Sequence, residues 1–239
     1  MAVLVGVLAG ALVSMPVYAS VSKNRHDPNE ISDRGSFVLG SFIRSWFYWF
    51  IGPLERLALF LGVSATAFNL IGVAFGVGAG ALFATGHVNA GGWCVLCGGV
   101  ADVLDGRIAR VQGKVSQAGA FLDSTLDRFA EVGVFVGLSL LFMASAVELA
   151  VVVTALGGSL LVSYARARGE SLGVVCTVGV MQRAERLMLV GFGGIFDPAV
   201  TEWRNWAPGT LLITVVGIVA AGTVGTAIYR TVWIARRLD

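Results

Sequence analysis

DVLDGRIARVQGKVSQAGAFLDSTLD, residues 102–127, decides how the chain is read. Asp102 and Asp105 stand three apart, and Asp123 and Asp127 stand four apart. On helices either spacing stacks a pair on one face, about a turn apart. A short stretch containing Gly113 and Lys114 separates the pairs. The pattern predicts two antiparallel helices joined by a tight turn, with four carboxylates gathered at one end. Four such groups cannot all stay ionised side by side, because like charges force some to take protons. A divalent cation removes the conflict, and carboxylate oxygens suit Mg²⁺, Mn²⁺ or Ca²⁺ over a sulfur-seeking metal. Four carboxylates suffice for two ions, with Asp123 or Asp102 bridging, and two ions can clamp a transferring phosphoryl group. Gly106 and Ala109, a turn beyond the aspartates, leave space beside the metals. Gly119, one turn before Asp123, lets a phosphate or a flat nucleotide reach the backbone. Arg110 can hold a phosphate with a two-pronged contact. The plainer alternative is that these aspartates pair with Arg107, Arg110 and Arg128 at helix ends.

These charges lie in apolar surroundings. Of the 239 residues, 56% are hydrophobic and only 13% charged, and the mean hydropathy is +0.80. A soluble domain carries about 25% charged residues. The composition indicates a polytopic membrane protein with little room for a separate soluble domain. No basic, aromatic-interleaved surface is visible, which excludes nucleic acid as a partner. Cys94 and Cys97 form a CxxC, but a zinc site needs further ligands, and His26 and His87 are distant in sequence. With Cys176, they read as small helix-packing residues.

A spanning helix needs about 20 mostly apolar residues. Spans are predicted near 2–20, 63–85, 90–111, 119–144, 147–168, 182–196 and 208–234. The expected fold is an all-α integral membrane protein. It has a six-helix transmembrane core, an N-terminal interfacial helix and an extra N-terminal transmembrane helix. The divisions are 1–22 for the extra segment, 23–53 for a polar linker and interfacial helix, and 54–239 for the six-span domain. The first segment lacks a basic residue ahead of its apolar run, as a secretory signal has, and Lys23 and Arg25 follow it. It therefore reads as an uncleaved span. SFIRSWFYWFIGP, residues 41–53, crowds aromatic rings beside Arg44 and ends in Pro53. It is predicted to lie along the membrane surface.

Lys114, Arg166, Arg168, Arg183, Arg186, Arg230, Arg236 and Arg237 alternate correctly to fall on one side, which the positive-inside rule makes the cytoplasm. Among the lysines and arginines, the opposite loops carry only Arg204. The four carboxylates are thus expected at the cytoplasmic boundary.

Asp102, Asp105, Gly106, Ala109, Arg110, Gly119, Asp123 and Asp127 read D-x2-D-G-x2-A-R-x8-G-x3-D-x3-D without a gap. This resembles the signature of the CDP-alcohol phosphotransferases (CDP-alcohol phosphatidyltransferases), and the resemblance extends over roughly residues 40–235. It implies transfer of the phosphatidyl group of a CDP-linked lipid to an alcohol, with release of CMP. It implies that Asp102, Asp105 and Asp123 hold the metals and that Asp127 completes the second site. Asp127 would also take the proton of the acceptor hydroxyl. Two Mg²⁺ ions are the expected cofactor, with Mn²⁺ as the substitute. The CDP-binding positions would be Asp102, Asp105, Gly106, Ala109, Arg110, Gly119 and Asp123. A homodimer is also implied. The family often carries G-[IV]-S-P-N-x-x-T before its first core span. GVSATAFN departs from this, with Ala65 and Thr66 in place of Pro and Asn, and Asn69 in place of Thr. Thr66 and Asn69 keep hydrogen-bonding groups and are the expected remaining donor-site residues.

SYARARGESLG (163–173) and MQRAERLMLVGFG (181–193) put Arg166 and Arg168 at the end of one helix and Arg183 and Arg186 at the start of the next. Such arginines can capture a phosphate on the acceptor. The positive-inside rule alone would also put arginines here. Both stretches resemble segments of phosphatidylinositol-phosphate synthases and their archaeal relatives, with Gln182 replacing a Glu and Ala184 a Pro. That resemblance implies inositol 1-phosphate as acceptor, held by Arg166 or Arg168 and by Arg183 or Arg186. Glycerol 3-phosphate, also anionic, is the alternative. A cation transporter would use the same carboxylates for ions in transit. It would place them at the bilayer midplane on broken helices, whereas these lie at one boundary.

Overall fold

The computed structural model of the protein describes residues 10, 13–20 and 40–238. Residues 13–20 are helical. Beyond them run α1 (Gly40–Phe60), α2 (Ala65–Ala84), α3 (Val88–Val111), α4 (Gln117–Leu141), α5 (Ala146–Ser171), α6 (Arg183–Arg204) and α7 (Thr210–Leu238). Among the described residues there is no strand. The predicted first span lies outside the described residues apart from 10 and 13–20. Trp46 Nε1 of α1 donates to Ser14 Oγ at 2.9 Å. Tyr18 is buried against the rings of Phe42 and Trp49.

Serine side chains start three of the helices by accepting an otherwise unpaired first-turn amide. Ser64 takes Ala67 N at 3.2 Å, Ser116 takes Gly119 N at 3.0 Å, and Ser145 takes Glu148 N at 3.4 Å. The α7 start is capped from another helix. The buried Asp197 of α6 accepts from Gly209 N at 2.9 Å and Leu212 N at 3.1 Å. This tie, together with Pro198 inside the helix, goes with an α6 that continues to Arg204, past the predicted limit of 196.

Helix α2 packs on α3 and α4, α3 on α6, α6 on α7, α7 on α5, and α5 on α4. The six helices therefore close into a ring, and α1 lies outside it against α3. Glycines set the closest crossings. A Cβ at Gly76 would stand 2.6 Å from the Ala130 carbonyl oxygen, and Gly80 lies directly against Gly133 and Gly137. Gly92 faces Gly191 and Gly194 across the α3–α6 contact in the same way. Small residues let backbones approach in lipid, where dispersion rather than water expulsion holds helices together. By length and composition, α2, α5 and α7 are apolar enough to cross a membrane. The protein is a membrane protein; α3, α4 and α6 carry the charged side chains described below.

A second helix also runs past its expected end. The surface helix does not end at Pro53 but runs on through the 53/54 boundary to Phe60. Proline inside a helix lacks an amide donor and its ring crowds the carbonyl four residues back; it also clashes with the Cβ and amide of the preceding residue, and here that residue is Gly52, which has no Cβ. The extra turns bring Glu55 and Ala58 against α3.

Candidate active site

The turn between α3 and α4 is short because both helix ends are closed locally. Gly113 takes a positive φ of 63°, which favours glycine, and Ser116 caps α4. The carboxylates meet as predicted, but α3 and α4 do not pack as a hairpin: α2 packs on both. Ligand oxygens of Asp102, Asp123 and Asp127 lie within 4.8 Å of one another. Asp105 is buried and lines the same cavity as Asp102 and Asp127. Asn69 of α2 joins them: with its amide nitrogen turned toward the carboxylates, it donates to Asp105 and, at 3.3 Å, to Asp123 Oδ1.

A fourth helix closes the cavity. Arg183, the first residue of α6, places Nη1 2.5 Å from Asp102 Oδ1 and Nη2 2.8 Å from Asp127 Oδ1. One guanidinium thus bridges α3 and α4. Two of the three arginines named as alternative partners of the aspartates make ion pairs with glutamates. Arg107 pairs with Glu55 at 2.7 Å, and Arg128 pairs with Glu131 at 3.2 Å and Ser163 Oγ at 2.7 Å.

The other signature positions, Gly106, Ala109, Arg110 and Gly119, do not line this cavity. A Cβ on Gly106 would lie 3.4 Å from Arg110 Nη1, so this glycine makes room for the arginine's head to fold back along α3. Ala109 is half-buried and Gly119 exposed, its amide taken by Ser116. Thr66 is exposed on the first turn of α2, one turn before Asn69.

The four arginines expected at an acceptor phosphate differ in what they touch. Arg183 lies in the cavity. Arg166 is half-exposed and pairs with Glu170 at 2.8 Å, and exposed Arg168 bonds Ser171. Arg186 is the most enclosed of the four. It is 1% exposed, its Nε is 2.8 Å from Glu131 Oε1, and its Nη1 donates to the Met181 carbonyl.

Sequence reasoning missed Glu131. The signal was present: Glu131 follows Asp127 by four on α4, and Arg186 follows Arg183 by three on α6. Those spacings build two acid–base rungs between the helices, one turn apart. Arg230 of α7 also went unremarked as a structural group. Its Nε and Nη1 donate to the carbonyls of Val178 (2.7 Å) and Val162 (3.0 Å), tying the α5–α6 loop to the bundle. The three cysteines are free thiols; Cys176 is buried, Cys94 half-buried and Cys97 exposed.

Comparison with known proteins adds three findings. The sequence profile of the CDP-alcohol phosphatidyltransferase family matches residues 59–229. A phosphatidylinositol phosphate synthase of Streptomyces avermitilis is 36% identical over 214 residues, covering 84% of each chain. An archaetidylinositol phosphate synthase of Methanothermobacter thermautotrophicus is 33% identical over 190 residues, covering 79% of this chain and 90% of the other. Among solved structures, the Mycobacterium tuberculosis phosphatidylinositol phosphate synthase is similar at 29% identity. Its complex with CDP-DAG gives a TM-score of 0.64 and its complex with manganese and citrate 0.65, each covering 76% of this chain and 92% and 88% of the respective solved chain.

Proposed function

Because the chain belongs to the CDP-alcohol phosphatidyltransferase family, we propose that it transfers the phosphatidyl group of CDP-diacylglycerol, or a similar CDP-lipid, to inositol 1-phosphate and releases CMP. The observation that carries the reading is the meeting of Asp102, Asp123 and Asp127 within 4.8 Å at a cavity closed by Arg183. The inositol phosphate acceptor is supported by what the two sequence relatives are named for: they differ in lipid and share the inositol phosphate headgroup.

The donor set fits hard divalent cations. Oxygens bound to one ion at about 2.0–2.6 Å stand at most about 4–5 Å apart, which the Asp102, Asp123 and Asp127 oxygens satisfy. Asp105, linked to Asp123 through Asn69, would complete a second position. When bound, Mg²⁺ or Mn²⁺ would supply charge neutralisation to the pyrophosphate and its leaving group.

The chain's own residues do the rest. Arg110, folded over Gly106, presents a fork to the nucleotide phosphate. Asp127 takes the proton of the acceptor hydroxyl. The freed oxygen bonds to the lipid-side phosphorus, the phosphorus–oxygen bond to CMP breaks, and its electron pair leaves on the CMP phosphate. Arg183 meets the same two aspartates that would hold cations. Its guanidinium would grip the acceptor phosphate, with Arg166 and Arg168 beyond it at the same end. Six membrane-crossing helices, with this site facing the cytoplasm, fit the placement of lysine and arginine.

The test is a panel of CDP-diacylglycerol with inositol, inositol 1-phosphate, glycerol 3-phosphate and serine, products read by mass spectrometry. Transfer to inositol 1-phosphate, lost on chelation and restored by Mg²⁺, is expected. Preferential transfer to glycerol 3-phosphate would replace the acceptor, and no CMP release with any alcohol would remove the reading.

A further inference from the structure

The signature accounts for one face of α3. Asp102, Asp105, Gly106, Ala109 and Arg110 share that face by helical spacing, and Leu104, Arg107 and Ile108 share the opposite one. The opposite face is where α1 packs. Ile51 and Ala58 of α1 bury against Leu104 and Ile108. Within this apolar contact sits one ion pair, Arg107 Nε to Glu55 Oε2 at 2.7 Å, with side chains only 8% and 9% exposed. The Arg107 guanidinium also lies 4.8 Å from the centre of the Tyr48 ring. Gln112 Nε2, one turn on, donates to the Val63 carbonyl at 3.1 Å. Glu55 and Tyr48 precede residue 59, where the family match begins.

We propose that Glu55 and Arg107 are a positioning pair that fixes the roll of α3, and so holds Asp102 and Asp105 in register with Asp123 and Asp127. Apolar contacts alone do this poorly, since Leu and Ile surfaces tolerate a small rotation. A buried, stacked, two-helix ion pair does not: its geometry is directional, and a lost partner leaves a charge stranded. The lever is short. Side-chain oxygens stand about 5–6 Å from a helix axis, so a roll of about 20° displaces Asp102 and Asp105 by about 2 Å. Metal–ligand distances hold to within about 0.2 Å. The ion pair, the Tyr48 stack and the Gln112 bond restrain the rotation.

This inference rests on the carboxylates binding divalent cations, and the experiment separates the two. Mn²⁺ binding to the detergent-solubilised protein is followed by the electron-paramagnetic signal of free Mn²⁺, alongside thermal unfolding. In Glu55→Leu/Arg107→Met both charges go together, so no buried charge is stranded and the fold is expected to persist. Its Mn²⁺ dissociation constant is expected to rise about tenfold, the scale on which outer partners act on metal affinity. Glu55→Asp keeps both charges and shortens the reach by one methylene; it is expected to raise the constant by a smaller factor with unfolding unchanged. Wild-type Mn²⁺ affinity in the folded apolar variant overturns the proposal; should that variant not fold, wild-type affinity in Glu55→Asp does so. Absence of Mn²⁺ binding by the unmodified protein would instead overturn the cation reading on which it stands.

Discussion

At the scale of single residues, two acid–base rungs separate chemistry from structure. Asp127–Arg183 is partly open, each side chain 17% exposed, whereas Glu131–Arg186, a turn away, is closed at 1% and 2%. The residue types match, but only the open rung meets a solute, so their variants should fail differently. Asp127→Asn keeps an oxygen ligand but loses the base. CMP release should fall about 10²–10⁴-fold, the usual worth of general base catalysis, while Mn²⁺ binding only weakens; normal turnover would remove Asp127 as base. Arg183→Gln should raise the acceptor KM far more than the CDP-lipid KM, and equal effects on both would argue against an acceptor-phosphate role. Arg186→Met should instead lower the unfolding temperature, because breaking a buried pair costs about 3–5 kcal/mol, and leave the acceptor KM of the folded protein unchanged. The aspartates were legible in the sequence because their spacing alone places them on facing helix surfaces. The difference between Arg183 and Arg186 was not. They lie on the same helix three residues apart, and which one faces the cavity is set by how α6 rotates against α3, on which it packs, which no local pattern encodes.

At the scale of elements, the ring is built on crossings where glycine replaces a side chain. The α2–α4 contact is the closest, with Gly80 set between Gly133 and Gly137. Because α4 carries Asp123 and Asp127 and α2 carries Asn69, this crossing sets the spacing of half the site. Gly80→Ala would drive a methyl into the opposing backbone and is expected to cost about 1–3 kcal/mol, as overpacking does. Gly78→Ala on the same helix has no atom within 4 Å of its new Cβ and should be neutral. Thermal unfolding of the two variants in one detergent checks this, and equal stability would mean that α2 and α4 separate without cost. Abundant glycine was visible from the sequence; its pairing across helices was not, since it depends on which helices become neighbours. Pro53 illustrates the converse. A local rule ended the helix there, but Gly52 relieved the clash and packing on α3 carried α1 on to Phe60.

At the scale of the whole molecule, the two ends of the ring differ in charge. The carboxylate end holds Lys114 in the exposed α3–α4 turn, Arg183 at the start of α6, and Arg236 and Arg237 in the last turn of α7. The α6–α7 end carries Arg204, whose guanidinium lies over the exposed rings of Trp203 (5.5 Å) and Trp206 (5.2 Å). Tryptophan beside a single arginine suits the headgroup level of a membrane face, where an amphipathic ring is held by apolar tails below and water above. On the proposed function, a CDP-lipid would reach the carboxylates by lateral diffusion in its own leaflet, and a phosphorylated, membrane-impermeant acceptor only from the compartment that makes it. The proposed orientation therefore opens the site on the side with the basic residues, the cytoplasm. With Cys94, Cys97 and Cys176 replaced by alanine, Arg204→Cys should be labelled by an impermeant maleimide on intact cells, and Lys114→Cys only after lysis. The opposite pattern would put the carboxylates outside, away from any cytoplasmic phosphate ester, and would undo the assignment of acceptor and donor compartments together.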